Sequence, residues 1–242
     1  MKSLKKIIKF IELTSKRKKS EEDYFKFQSF QARLMIKDLV KIFKIDENTK
    51  ILEIGSGIGG YLSELAKIGC KVKSLDLNPL EYTLKKFENI ENVSIIEGDI
   101  TNAPFQDAEF DLIIASGVIE HVPNQKKMIQ ECKRILKKEG IFYLSFPPYY
   151  SPKGGHSISP FHYLPKKIAF KLYKTFYQGK HKNFKYYGLV KTTIKSAKNL
   201  IKNDFKIIKI KARIFDFLNP IAKIPLLNEI LIHHVELILQ KK

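Results

Sequence analysis

Residues 51–60, Ile-Leu-Glu-Ile-Gly-Ser-Gly-Ile-Gly-Gly, constrain this chain more than any other stretch. The apolar residues around Glu53 read as a short buried strand. Gly55, Gly57 and Gly59 then allow a tight turn and close approach of a ligand, because no Cβ stands in the way. A helix begins within that turn, so its unpaired N–H groups face whatever binds there. Strand, glycine turn and helix in that order open an alternating α/β architecture.

The rest of the chain extends the alternation. Strands read at 50–54, 71–76, 93–97, 110–115 and 140–146, with helices near 59–68, 79–88 and 124–138 between them. That spacing means right-handed crossovers and a parallel sheet. Upstream, Leu4, Ile7, Ile8 and Ile11 recur at helical spacing among Lys2, Lys5, Lys6 and Lys9. They predict an amphipathic first helix, either a cap on the domain or a peripheral membrane anchor. A second helix reads at about Phe27–Phe43. After Pro147-Pro148 the alternation stops, and residues 148–190, rich in Tyr, Phe, Lys, Gly, Pro and His, read as an insertion with one helical stretch near 165–177. A helix at 192–202 and strands at 205–211 and 231–239 complete the sheet. The expected organisation is one domain over residues 1–242: N-terminal helices (1–47), a cofactor-binding core (48–147), a substrate-covering insertion (148–190) and the C-terminal part of the sheet (191–242).

A chain of 242 residues, 44% hydrophobic, has enough apolar mass for such a domain. Cys70 and Cys132 are too few and too badly placed for a disulfide framework or a metal site, which favours a reducing cytoplasm. No run of 18 apolar residues occurs, so no membrane span is expected. Lys9 and Glu12 interrupt Ile7–Leu13, which denies Met1–Lys19 the apolar centre of a secretory signal. The net charge of +19 is uneven. Residues 48–150 hold 12 basic and 14 acidic side chains, residues 1–47 hold 13 and 7, and residues 151–242 hold 19 and 4. Lys outnumbers Arg 40 to 4, so Lys is the default base of this chain, but a default does not explain why acidic residues vanish after 150. The basic third predicts an anionic partner, either an acceptor or a membrane surface.

Gly55, Gly57 and Gly60 also satisfy G-x-G-x-x-G, with Asp76 at the end of the second strand. The loop alone therefore leaves a nicotinamide or flavin dinucleotide and S-adenosylmethionine (SAM) both open. Three features separate them: Glu53 ahead of the glycines, Glu97-Gly98-Asp99-Ile100 after the third strand, and Phe110-Asp111 through Glu120-His121-Val122 around the fourth. From about Lys50 to Pro148 the chain resembles the class I SAM-dependent methyltransferases of small-molecule, lipid or glycan type. The resemblance implies a Rossmann-like, doubly wound, seven-stranded sheet whose last strand enters antiparallel between its two predecessors. It implies SAM as methyl donor and S-adenosylhomocysteine as product. It also implies roles: Asp76 for the ribose hydroxyls, Asp99 for the adenine amino group, and Leu77 and Ile100 on the ring faces. The Gly55–Ser56–Gly57–Gly59 backbone approaches the methionine part, Glu53 reaches its amino group or braces the loop, and Ser116 completes the set. Arg33 is expected to clamp the SAM carboxylate, because an Arg kept in a Lys-rich chain suggests use of its planar fork.

A hydroxyl acceptor must lose its proton as it attacks, which calls for a base, most often His. His156, on the Gly154-Gly155 loop past strand five, is the expected general base, with His162 as deputy. His121 is expected either to touch the substrate or to cap the next helix. Glu120-His121 by itself makes no metal site, and no metal is expected. The acceptor group is expected to be a hydroxyl, with an amine or a carbon as the alternatives, on a small, glycan- or lipid-linked, anionic molecule, with Tyr149, Tyr150 and Tyr163 as candidate lining. Ser116-Gly117-Val118 stands where enzymes that methylate the exocyclic amines of bases carry Asn/Asp-Pro-Pro-aromatic, and there is no Pro-Cys nucleophile. Methylation of tRNA or rRNA is thus the disfavoured alternative, and a nicotinamide oxidoreductase a more distant one.

Overall fold

Five parallel strands form first: β1 (Lys50–Ile54), β2 (Lys71–Asp76), β3 (Val93–Glu97), β4 (Phe110–Ser116) and β5 (Leu136–Phe146). Two more, β6 (Phe205–Ala212) and β7 (Val235–Lys241), complete a seven-stranded sheet of order β3-β2-β1-β4-β5-β7-β6. This computed structural model describes residues 2–177 and 189–242. The last strand runs antiparallel between β5 and β6, as the family resemblance implies. Part of the expected insertion, residues 178–188, lies outside the described residues.

Successive residues of a strand point to opposite faces, and here both faces are covered. Leu52, Ile113 and Phe142 pack on one side with α5 (Gln125–Ile135) and α7 (Ile194–Ile201). Ile51, Leu112 and Ile141 pack on the other with α2 (Glu21–Leu39) and α3 (Gly60–Ala66). The remaining helices are α1 (Lys2–Lys16), α4 (Glu81–Phe87), α6 (Lys166–Tyr177) and α8 (Leu227–Leu231).

Several boundaries differ from the sequence reading. α2 starts at Glu21, well before the expected Phe27, because Ser20 caps it by accepting the Asp23 N–H and three acidic residues fill its first turn. β5 begins at Leu136, before the expected 140. The last strand begins at Val235, since residues 227–231 form α8 and leave His233 and His234 in the entry to the strand. α1 buries Phe10 and Leu13 against Phe27 and Ile214, with Ile7 packed beside them. Leu4, Ile8 and Ile11, which the cap reading would place against the domain, are exposed. Among the described residues no helix is long and apolar enough to cross a membrane.

A close contact at Gly60 decides how α2 covers the glycine turn. A Cβ on Gly60 would stand 2.3 Å from the Gln28 Cβ and 2.8 Å from the Phe25 carbonyl oxygen. Ser29 donates to the Gly60 carbonyl at 3.3 Å, and the Gly60 N–H donates to Gln28 Oε1 at 3.2 Å. Gly60→Ala must push α2 off the turn and is expected to cost about 1–3 kcal/mol, read as a lower urea midpoint.

Candidate functional site

A cleft of about 1020 Å³ opens at the C-terminal ends of the strands, across the point where strand order reverses between β1 and β4. Ligands of open α/β sheets bind at this switch point. On its β2–β3 side the cleft is lined by Gly55, Gly57, Asp76, Leu77, Asp99 and Ile100, all expected there. Tyr24, Phe27, Gln28 and Gln31 of α2 form a wall. The late expected start left Tyr24 outside the helix, although Ser20-Glu21-Glu22-Asp23 carries a capping signal, and which face of the helix meets the cleft has no mark in the sequence.

Asp76 braces the turn as well as facing the cleft. Its Oδ2 accepts from the Ser56 hydroxyl at 2.9 Å and the Gly57 N–H at 3.3 Å, and its Oδ1 from the Asn78 N–H at 2.9 Å. A carboxylate offers about four acceptor positions, so the loop already occupies most of them. Asp99 Oδ1 accepts from the Thr101 N–H at 2.7 Å, which fixes the turn after β3. Ser56 and Gly59 do not line the cleft: Ser56 is buried on Asp76, and Gly59 lies against Phe87.

Two expected cofactor contacts are placed elsewhere. Arg33 is outside the cleft lining, its Nη1 held on Glu64 Oε1 at 2.9 Å. It projects from the α2 face that meets α3. Glu53 is also outside the lining, buried beneath the turn with Oε2 accepting from the Ser74 hydroxyl at 3.3 Å. Burial pushes its carboxyl up to about 8, the nearby Asp76 charge adding to the rise.

The β5–β7–β6 side is cationic. Arg17, Lys18, Lys153 and Arg213 line it together with His233 and His234. Arg213 is buried, donating to Glu236 Oε1 at 3.1 Å, Gln31 Oε1 at 3.2 Å and the Ser116 hydroxyl at 2.9 Å. Ser116, expected at the cofactor, lines the cleft with its hydroxyl tied into this network and to the Tyr61 hydroxyl at 3.0 Å. Desolvation, reinforced by Lys153, Arg213 and Arg17, pushes His233 down to about 4, so it is neutral near pH 7. The rarity of Arg that singled out Arg33 applies equally to Arg213 and Arg17, and there it points to the cleft.

Beyond the tip of β4, Glu120, His121 and His156 come together in the cleft lining. Glu120 and His121 occupy a 3-10 turn, held by a Val190 N–H donated to the Glu120 carbonyl at 2.8 Å. His156 Nε2 stands 3.5 Å from Glu120 Oε1, and the two imidazole rings meet edge to face at 5.1 Å. His121 keeps an exposed edge, yet desolvation of its ring lowers its pKa, with Glu120 opposing. His162, the deputy, lies outside the lining and packs beneath Gly155. Tyr149, Tyr150 and Tyr163 are also outside the lining: Tyr149 donates to the His162 carbonyl at 2.6 Å and Tyr163 to the Tyr150 carbonyl at 3.0 Å.

The comparisons agree with this geometry. The model of the methyltransferase domain family matches residues 52–144, from β1 to the end of the parallel core. Through this core the chain is similar to the class I SAM-dependent methyltransferases. A sterol 4-C-methyltransferase of Caenorhabditis elegans is 33% identical over 104 residues, covering 41% of this chain and 31% of that protein. A ubiquinone biosynthesis O-methyltransferase of Actinobacillus pleuropneumoniae serotype 5b is 38% identical over 106 residues, covering 40% and 44%. The chain thus spans less than half the length of these relatives. The crystal structure of a SAM-dependent methyltransferase from Aquifex aeolicus shares the fold at a TM-score of 0.53 and 13% identity, over 84% of this chain and 88% of that one.

Glu53 gives this core a pH signature. Folded, the carboxyl keeps its proton up to about pH 8; unfolded, it loses it near 4.5. Folding therefore takes up a proton in that window, and stability falls as pH rises through it. Glu53→Gln is expected to flatten this slope, so that the unfolding free energy of the variant gains on the wild type between pH 5 and pH 9.

Proposed function

We propose that the chain binds SAM along Gly55, Gly57, Asp76 and Asp99 and moves its methyl group to a hydroxyl of a small or lipid-linked anionic acceptor. Bound SAM supplies a methyl already activated by the sulfonium. The residues fit its chemistry: a cleft-facing carboxylate at Asp76 for a ribose, apolar Leu77 and Ile100 for a purine, and Asp99 for an exocyclic amine. Because Asp76 also holds Ser56 and Gly57, ribose binding and loop shape are coupled.

The observation that carries the reading is the position of Glu120, His121 and His156 beside the glycine turn. A Cβ on Gly55 would lie 2.8 Å from Val118 Cγ2, and one on Gly117 would lie 3.7 Å from Glu120 Oε1. The donor loop and the cluster are therefore neighbours across one short segment. A buried carboxylate with two imidazoles is suited to taking charge of a hydroxyl proton during attack. His156, beside Glu120, is the member whose loss should cost most. The cationic lining by Arg17, Lys18 and Lys153 supports an anionic acceptor. An O-methyltransferase and a sterol methyltransferase among the relatives support a hydroxyl and a lipid-like acceptor respectively.

Calorimetric titration with SAM, S-adenosylhomocysteine and NAD tests the donor. Binding of both SAM ligands is expected, abolished by Asp76→Ala; heat with NAD alone would overturn the proposal. Labelled methyl from SAM then identifies an acceptor in cell extract. With it, His156→Ala is expected to lower turnover by about 10²–10⁴-fold at unchanged SAM affinity, and unaltered turnover would remove His156 from the chemistry.

A further inference from the structure

We propose that Glu120, His121 and His156 bind a divalent first-row metal ion, zinc being the ion this donor set suits best. The inference rests on reading the cluster as the acceptor end of the cleft.

One carboxylate and two imidazoles bring ligating atoms within 4.8 Å of one another. The decisive distance is the 3.5 Å between Glu120 Oε1 and His156 Nε2. It is longer than a well-formed hydrogen bond. Two ligands each about 2.1 Å from one tetrahedral ion stand about 3.4 Å apart, so the pair is spaced as ligands of a common ion. Glu120 supplies the second observation. It is 3% exposed, and neither carboxylate oxygen takes part in a hydrogen bond among the described residues. A buried carboxylate without hydrogen bonds is costly, and a cation between it and the imidazoles compensates it.

The backbone holds the donors in place. Glu120 and His121 are adjacent in a turn anchored by Val190 and by Gln125, whose Nε2 donates to the Ile119 carbonyl at 2.8 Å. His156 sits at φ 48, a left-handed conformation that a non-glycine residue adopts only when its surroundings enforce it. Gly154 and Gly155 allow this, for Cβ atoms there would stand 2.2 Å from the Tyr149 carbonyl oxygen and 2.3 Å from the His162 ring. Strain at this loop thus serves to bring His156 to Glu120. Arg213, a buried cation in the lining, is already matched by Glu236. Three protein ligands leave one tetrahedral position for the cleft, as in catalytic zinc sites. With an ion bound, the three side chains would hold it instead of taking the proton themselves, and the ion would draw in the acceptor's hydroxyl oxygen and ease loss of its proton to solvent.

The test uses the full chain stripped of metal by chelation and titrated with Co²⁺, followed by visible absorption, with Zn²⁺ as competitor. One equivalent of Co²⁺ is expected to bind and to be displaced by Zn²⁺. Glu120→Gln and His156→Ala are each expected to weaken binding by more than about 100-fold, beyond the cost of losing a group that only orients a ligand. Unchanged SAM affinity would show that the variants are folded. No Co²⁺ signal, or one that both variants leave intact, overturns the proposal. SAM binding without Co²⁺ binding would remove the metal and leave the methyltransferase reading standing. Co²⁺ binding without SAM binding would keep the metal site and remove that reading.

Discussion

The Arg213 guanidinium sits where four elements meet, and the cleft depends on that junction. Its hydrogen-bond partners come from α2 (Gln31), β4 (Ser116), β5 (Tyr143 and Ser145) and β7 (Glu236). A buried charge is tolerated only with a partner and full hydrogen bonding. The antiparallel entry of β7 meets that need, because it sets Glu236 opposite Ser145 on one neighbour and Lys211 on the other. Glu236 Oε2 lies 2.8 Å from Lys211 Nζ, which also reaches Asp38 of α2. A last strand in parallel orientation would not give this register, so the network, the cleft floor and the seat of α2 share one topological cause.

From that floor the cleft divides into two chemistries. The β2–β3 side presents carboxylates and apolar surface, with Asp76 both shaping the glycine turn and facing the ligand space. The opposite side presents cations and neutral imidazoles, His233 being held neutral by burial and by its cationic neighbours. Glu120 stands at the boundary as a buried carboxylate beside two imidazoles. Opposed electrostatics thus meet within one cleft.

Much of this was legible beforehand. The glycine turn, Asp76, Asp99 and Ile100 lie within a few residues of strand ends, and their positions follow from local pattern alone. Arg33 and Glu53 were less legible, since whether a side chain on the right element faces the cleft depends on the roll of that element against its neighbours. Arg33 turned to Glu64, and Glu53 is buried beneath the turn. α1 shows the same limit: its apolar residues exceed one face, and packing chose Phe10 and Leu13 over Leu4, Ile8 and Ile11.

By itself, the order of strands, turns and helices determined the class of fold and the end of the sheet at which a ligand binds, because hydrophobic period and glycine placement act over short range. Only the tertiary structure decided which charged groups meet. Glu120 and His156 are 36 residues apart and Ser116 and Arg213 are 97 apart. Such pairs form where strand order and loop strain bring distant segments together, and no local period records that.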